Sequence, residues 1–175
     1  MNMKNEINME NVPLSKKNER FEAETKTLTA DELEDTIYWG GLSPRDKRFL
    51  DEEKGGVFKY FDLNKLMERK MYKRELFYPV AEFGGEIVGL GELERKPDKE
   101  SAYWMTFVSV DPEYQGRECA SRLEEEIFRF AKEKNITIES SRYSPEGWKK
   151  LKPFQNKLAE KYGVRFIDSE EKMID

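Results

Sequence analysis

The chain contains no histidine, a single cysteine and no long hydrophobic run. Without histidine there is no Ser-His-Asp or Cys-His nucleophile system, and no zinc site that needs imidazole. A lone Cys119 permits no intrachain disulfide, no CxxC pair and no thiolate cluster, so the chain does not read as secreted or disulfide-built. No window approaches the ~18 apolar residues of a membrane span. The polar N-terminus lacks the ~7–15 apolar residues of a signal-peptide core. A strong excess of one charge is missing as well: 31 Lys+Arg face 36 Asp+Glu, a net −5. That balance argues against a generic nucleic-acid binder. What remains is a soluble, cytoplasmic-type domain, expected to hold no metal. Its chemistry must use carboxylates, Tyr, Ser, Lys, backbone amides or a cofactor.

What is present is 175 residues, 38% charged and 37% apolar, a length that suits one domain. Residues 1–27 are polar throughout and are expected to form a flexible arm. The first 56 residues hold 9 basic and 13 acidic side chains, so four of the five net negatives lie there. Residues 28–175 are expected to form the single domain, with its core over 57–168.

The pattern of elements follows from periodicity and breakers. Thr29-Ala-Asp31-Glu, ahead of Ile37-Tyr38-Trp39, predicts a short helix with its N-cap. Pro44 to Leu50 predicts another turn of helix. Asp62 caps a predicted helix over 62–74, whose Lys70, Lys73 and Arg74 suit the negative end of the dipole. The period then changes to two: 77–83, a Gly84-Gly85 turn and 86–94 predict a β-hairpin, with Pro79 placing the first strand near an edge or making it begin late. A third strand over 103–110 stops at Asp111-Pro112. A helix over 119–134 follows, its apolar residues at Ala120, Leu123, Ile127, Phe130 and Ala131. Glu124, Glu125 and Glu126 are placed on its wet side. A strand over 136–143, a helix over 146–162 and a strand over 164–168 complete the chain. The order predicts a mixed sheet with helices on both faces, an α/β (α+β) fold.

The informative join runs from Val108 to Leu123. A strand stops, a short loop turns and a helix begins, so unpaired N–H groups and the helix dipole converge on one point, an anion site suited to phosphate. Neither GxxxxGK[ST] nor GxGxxG is present. Val110-Asp111-Pro112-Glu113-Tyr114, then Gln115-Gly116-Arg117-Glu118-Cys119-Ala120, resembles the signature of the GNAT superfamily of acetyl-CoA-dependent N-acetyltransferases. That signature is V-x-P-x-[YF] ending a strand, then [RQ]-x-x-G-x-[GA] opening a helix. Gln115 and Ala120 match, and Glu118 stands where the family keeps its first glycine. The resemblance covers roughly 57–168. The final helix, opening Pro145-Glu-Gly-Trp, is also similar to short acetyltransferase-like proteins of phages.

The resemblance implies a GNAT-like central mixed sheet and a cytoplasmic acetyltransferase using acetyl-CoA. The backbone around Val108 and Val110 would pair with the pantetheine arm where two strands part. The N–H groups of Gln115, Gly116, Arg117, Glu118, Cys119 and Ala120, with Ser121, would hold the pyrophosphate. Arg117 and Arg122 would add charge. Glu118 would oppose the phosphates, by about 1 kcal/mol at 5 Å in water and about 3 at an effective dielectric of 20.

The family's acid, a tyrosine four residues before a helix-ending glycine, would fall at Ala159. Tyr143 is the expected substitute, with Tyr162 either a second candidate or core. Glu92, or Glu94 on the same strand face, is the candidate base, the alternative being a solvated strand residue. Cys119 reads as a small buried residue rather than a nucleophile. Trp39, Tyr60, Phe61, Trp104 and Trp148 are candidate apolar walls. Asp111, Glu113, Glu92 and Glu94 would make an acidic cleft for a cationic amine. The function implied is direct acetyl transfer to a primary amine of a small molecule or peptide, with no membrane partner. The alternative is a degenerate, non-catalytic GNAT-fold binding or inhibitory protein that docks a protein partner through its N-terminal arm.

Overall fold

The computed structural model describes residues 22–38, 60–69, 71–99 and 101–168. Six strands form one sheet in sequence order: β1 (Glu24–Thr29), β2 (Leu76–Phe83), β3 (Glu86–Arg95), β4 (Ala102–Val110), β5 (Thr137–Ser140) and β6 (Phe166–Ile167). Neighbours from β1 to β4 run antiparallel, while β4–β5 and β5–β6 run parallel. The expected mixed sheet is present. Helices α1 (Ala30–Tyr38) and α2 (Leu63–Glu68) cover one face, and α3 (Cys119–Lys134) and α4 (Pro145–Tyr162) cover the other.

Alternation along β2 divides the core. Leu76, Tyr78 and Val80 pack with Leu33, Ile37 and Leu66 of the α1–α2 layer. Phe77 and Ala81 face the opposite layer, with Phe128 and Leu123 of α3 among its buried residues. Thr29 and Glu32 start α1 as a reciprocal capping box: Glu32 N donates to Thr29 Oγ1 at 3.2 Å, and Thr29 N donates to Glu32 Oε2 at 2.7 Å. Those bonds hold the Glu32 carboxyl below its usual range.

Several expectations change. Residues 24–27, expected in the flexible arm, are strand, paired with β2 from Glu24↔Glu82 to Thr27↔Pro79. Backbone ladder bonds hold this segment, which an apolar pattern does not report. β2 is therefore not at an edge, and it begins at Leu76, ahead of Pro79. The β2–β3 register passes from Phe77↔Leu93 to Val80↔Leu90, leaving Pro79 unpaired toward β3, as its missing N–H allows. Asp62 caps α2 as expected, accepting from Lys65 N at 3.1 Å, but the helix ends at Glu68 rather than near 74. Lys73, at φ 50, lies in the turn that follows. The turn expected over 44–50 and residue Trp39 lie outside the described residues.

Candidate active site

β4 carries one residue more than its partner. The β3–β4 register shifts between Glu92↔Phe107 and Leu93↔Met105, which makes Thr106 a bulge. On its other side, β4 pairs with β5 only from Ala102↔Thr137 to Met105↔Ser140. Beyond that point the two strands part. The gap opens into a cleft of about 560 Å³, lined by Met105, Thr106, Phe107 and Val108 of β4, and by Ser140 to Ser144 across from them. Glu124 of α3 and Gly147, Leu151 and Gln155 of α4 line it as well.

The strand–loop–helix turn follows directly from the same, C-terminal end of β4, after Val110. Buried Asp111 shapes it: its N–H donates to Val88 O at 3.0 Å, and its Oδ1 accepts from Glu113 N at 2.9 Å. Gln115 Nε2 donates to Val110 O at 3.2 Å. Gly116 takes φ +75, and the space a Cβ would occupy there is open. The first N–H bond into the helix is Arg122 N to Glu118 O at 3.0 Å, so the Cys119, Ala120 and Ser121 N–H groups have no intrahelical acceptor. Glu118 is exposed, at φ 60, with no side-chain bond to the helix end. This is a non-glycine residue in the left-handed region, where the resemblance places a glycine. Arg117 lies over the Tyr114 ring at 5.7 Å, and Arg122 is half-buried on the first turn. Cys119 is buried against the Gly89 backbone, and burial pushes its thiol up to about 11, the state of an inert packing residue.

Glu92 lies behind the cleft rather than in it. Its buried carboxylate accepts from Lys65 Nζ at 2.5 Å, Tyr78 OH at 3.1 Å and Thr106 Oγ1 at 2.7 Å. Burial alone would lower the Lys65 pKa, but its bonds to Glu92 and Glu94 raise it on balance. Thr106 is the residue that both lines the cleft and touches Glu92. Glu94 is taken by Lys65 and by Arg74. Tyr143 lines the cleft; its hydroxyl donates to Gln155 Oε1 at 2.6 Å, and burial raises its pKa. Tyr162 does not reach the cleft. Its hydroxyl donates to Glu125 at 2.7 Å beside Lys161. Of the expected apolar walls, Tyr60 lines the cleft, whereas Phe61 packs on Tyr78 and Trp104 stacks under Lys96. Trp148 sits edge-on to Tyr143.

Among the described residues, the carboxylate that lines the cleft is Glu124, not Asp111, Glu113, Glu92 or Glu94. Glu124 is 0% exposed and Glu126 is 5% exposed, so neither is on the wet side where the helix pattern put them. The reason is that α3 packs against α4 and every strand from β1 to β5, which leaves it little free face. The signal was in the sequence: Glu124 falls on the Ala120, Ile127 and Ala131 stripe at i+4 and i+3 spacing. Gln155 and Thr106, which complete the site, carry no such mark. Burial raises the Glu124 carboxyl to about 7, opposed by the Gln155 bond. Among the described residues, no group of side chains could hold a metal ion.

The acetyltransferase (GNAT) family model matches residues 31–142, from α1 to just past β5. The chain belongs to this family. No curated protein matches it. Among solved structures, an aminoglycoside acetyltransferase from an uncultured soil metagenomic sample, in complex with sisomicin, is 14% identical to this GNAT chain. It aligns over 87% of this chain and 93% of its own at TM-score 0.47. The PaiA N-acetyltransferase of Thermoplasma acidophilum, in complex with coenzyme A, is 19% identical over 66% of this chain and 76% of its own, at TM-score 0.40. A GNAT acetyltransferase from Elizabethkingia anophelis with acetyl-CoA bound is 16% identical over 73% of this chain and 71% of its own, at TM-score 0.45. None of the helices among the described residues is long and apolar enough to cross a membrane.

Proposed function

We propose that this GNAT chain is an N-acyltransferase that moves an acetyl group from acetyl-CoA directly to a primary amine. The observation that carries this reading is the open cleft where β4 leaves β5, joined by β4 to a turn with unpaired helix N–H groups. A module that kept only its shape would have this gap closed by side chains. Bound acetyl-CoA supplies the activated acyl group as a thioester.

The chain's own residues divide the work. The β4 edge at Val108 and Val110, unpaired toward β5, offers backbone groups to an extended arm, as an added strand would use them. The Gly116 to Ser121 turn offers N–H donors and the positive end of α3 to a pyrophosphate, with Arg117 and Arg122 beside it. Thr106 Oγ1 accepts a proton from the incoming amine as its own proton passes to Glu92 Oε1, 2.7 Å away. That gives Glu92 the part of base through one hydroxyl. Tyr143, whose proton is committed to Gln155, positions that amide instead of serving as the acid. The one cysteine is buried with its thiol pushed up to about 11, and the chain has no histidine to activate a serine as nucleophile. Both features favour direct transfer.

Glu118 favours a weak grip on the donor rather than loss of it. Its side chain is exposed, where water screens its repulsion of phosphate. A panel of amines assayed by thiol release from acetyl-CoA tests the reading. Amine-dependent release is expected, and Thr106→Val, which breaks the relay, should lower it by about 10²-fold. A folded protein that releases no thiol with any amine would leave the binding or inhibitory reading in its place.

A further inference from the structure

The inner wall of the cleft holds a carboxyl that the roles above leave unused. Glu124 Oε2 accepts from Gln155 Nε2 at 3.0 Å, while Oε1, equally buried, has no hydrogen-bond partner. The surrounding network says where its proton sits. The Tyr143 hydroxyl donates to Gln155 Oε1, so the amide turns its Nε2 hydrogens toward Met105 Sδ, at 3.3 Å, and Glu124 Oε2. With Oε2 occupied as an acceptor, the neutral acid carries its hydrogen on Oε1. Burial favours that neutral form, and only the Gln155 bond works against it. Ser140 of β5, Met105 of β4, and Arg142 and Tyr143 of the loop after β5 line the same cleft, Arg142 from an exposed position. Glu124 itself is already out of water, but a ligand filling the cleft lowers the polarity of its surroundings and favours the neutral acid further.

We propose that Glu124 is the proton donor of this cleft, its Oε1–H supplying the proton that the departing sulfur needs. The inference rests on the acetyl-transfer reading above. As the amine nitrogen bonds to the acyl carbon, the C–S bond breaks and its electron pair stays on sulfur, which takes the Oε1 proton. The nitrogen's proton leaves through Thr106 to Glu92. The products are the amide, the thiol and a Glu124 carboxylate, which recovers a proton from water as the cleft empties. Glu92 returns its proton to water in turn.

The test does not depend on turnover alone. Carboxyl carbon NMR of ¹³C-glutamate protein, with E124Q to assign the resonance, follows Glu124 in the free and CoA-bound states. Calorimetric CoA titration in two buffers of different ionisation enthalpy reads proton uptake. Expected are a Glu124 resonance that titrates near neutrality and moves upward with CoA, and proton uptake that E124Q loses. E124Q should also lower kcat on the order of 10²-fold with KM little changed. In wild type, activity should fall at high pH as Glu124 loses its proton, and E124Q should abolish that fall. A Glu124 resonance in the ordinary carboxylate range would overturn the proposal. So would CoA binding without proton uptake, or an E124Q enzyme with wild-type kcat. Each of those outcomes leaves acetyl transfer standing. Failure of CoA to bind wild type at all would remove both readings. The resonance shift and the buffer pair are read on wild type, so a misfolded E124Q does not shelter the idea.

Discussion

Glu118 holds φ 60 at the start of α3 with its carboxylate in solvent. Two costs meet there: a left-handed conformation in a residue with a Cβ, and a negative charge beside N–H groups that suit phosphate. Glu118→Gly should relieve the strain, worth about 1 kcal/mol and partly offset by glycine's freedom in the unfolded chain. It should tighten acetyl-CoA binding about tenfold, since the repulsion acts largely through water. A calorimetric titration giving equal or weaker affinity would contradict this. Cys119 next to it makes the opposite case. With its thiol pushed up to about 11 and buried, it should resist maleimide in the native protein and react once guanidinium unfolds it. Mass spectrometry of the labelled chain checks that.

Among elements, α3 decides how the site is built. Its N-terminus seats on β3, where a Cβ at Gly89 would lie 3.1 Å from Cys119 Sγ and 3.2 Å from Ala81 Cβ. Gly89→Ala should therefore push the helix off the strand, costing about 1–3 kcal/mol, and weaken acetyl-CoA binding with it. Chemical denaturation and a binding titration would read the two effects. The limits of α3, Cys119–Lys134, were legible from its apolar spacing, as were the hairpin around Gly84-Gly85 and β4. The loop that carries the family resemblance was legible too. The burial of Glu124 could have been read from its place on the apolar stripe, but that of Glu126 could not. A helix covered by the sheet on one side and α4 on another has no wide wet face, and one helix's pattern cannot show its neighbours. β1 was illegible for a different reason, being held by ladder bonds through Glu24, Thr25, Lys26 and Thr27. The Thr106 bulge depends on how β3 and β4 align, which neither strand reports alone.

For the whole molecule, Glu124 links stability to pH. Its carboxyl titrates near 7 when folded, against 4.5 for an ordinary glutamate, so the native state holds a proton that the unfolded chain releases earlier. The contribution is fully present below about 4.5 and is lost as pH rises to about 7, of order 3 kcal/mol. Urea midpoints should thus show wild type losing stability relative to E124Q between pH 5 and 8; a constant difference would contradict the burial argument. Acetyl-CoA should raise the melting temperature, because it binds the folded state. The measurement that bears most directly on the central claim is thiol release from acetyl-CoA against a panel of primary amines. The account predicts amine-dependent release with no acyl-enzyme on the chain, and weaker release in E124Q. Release that needs no amine, or a covalently acetylated protein on the path, would contradict it.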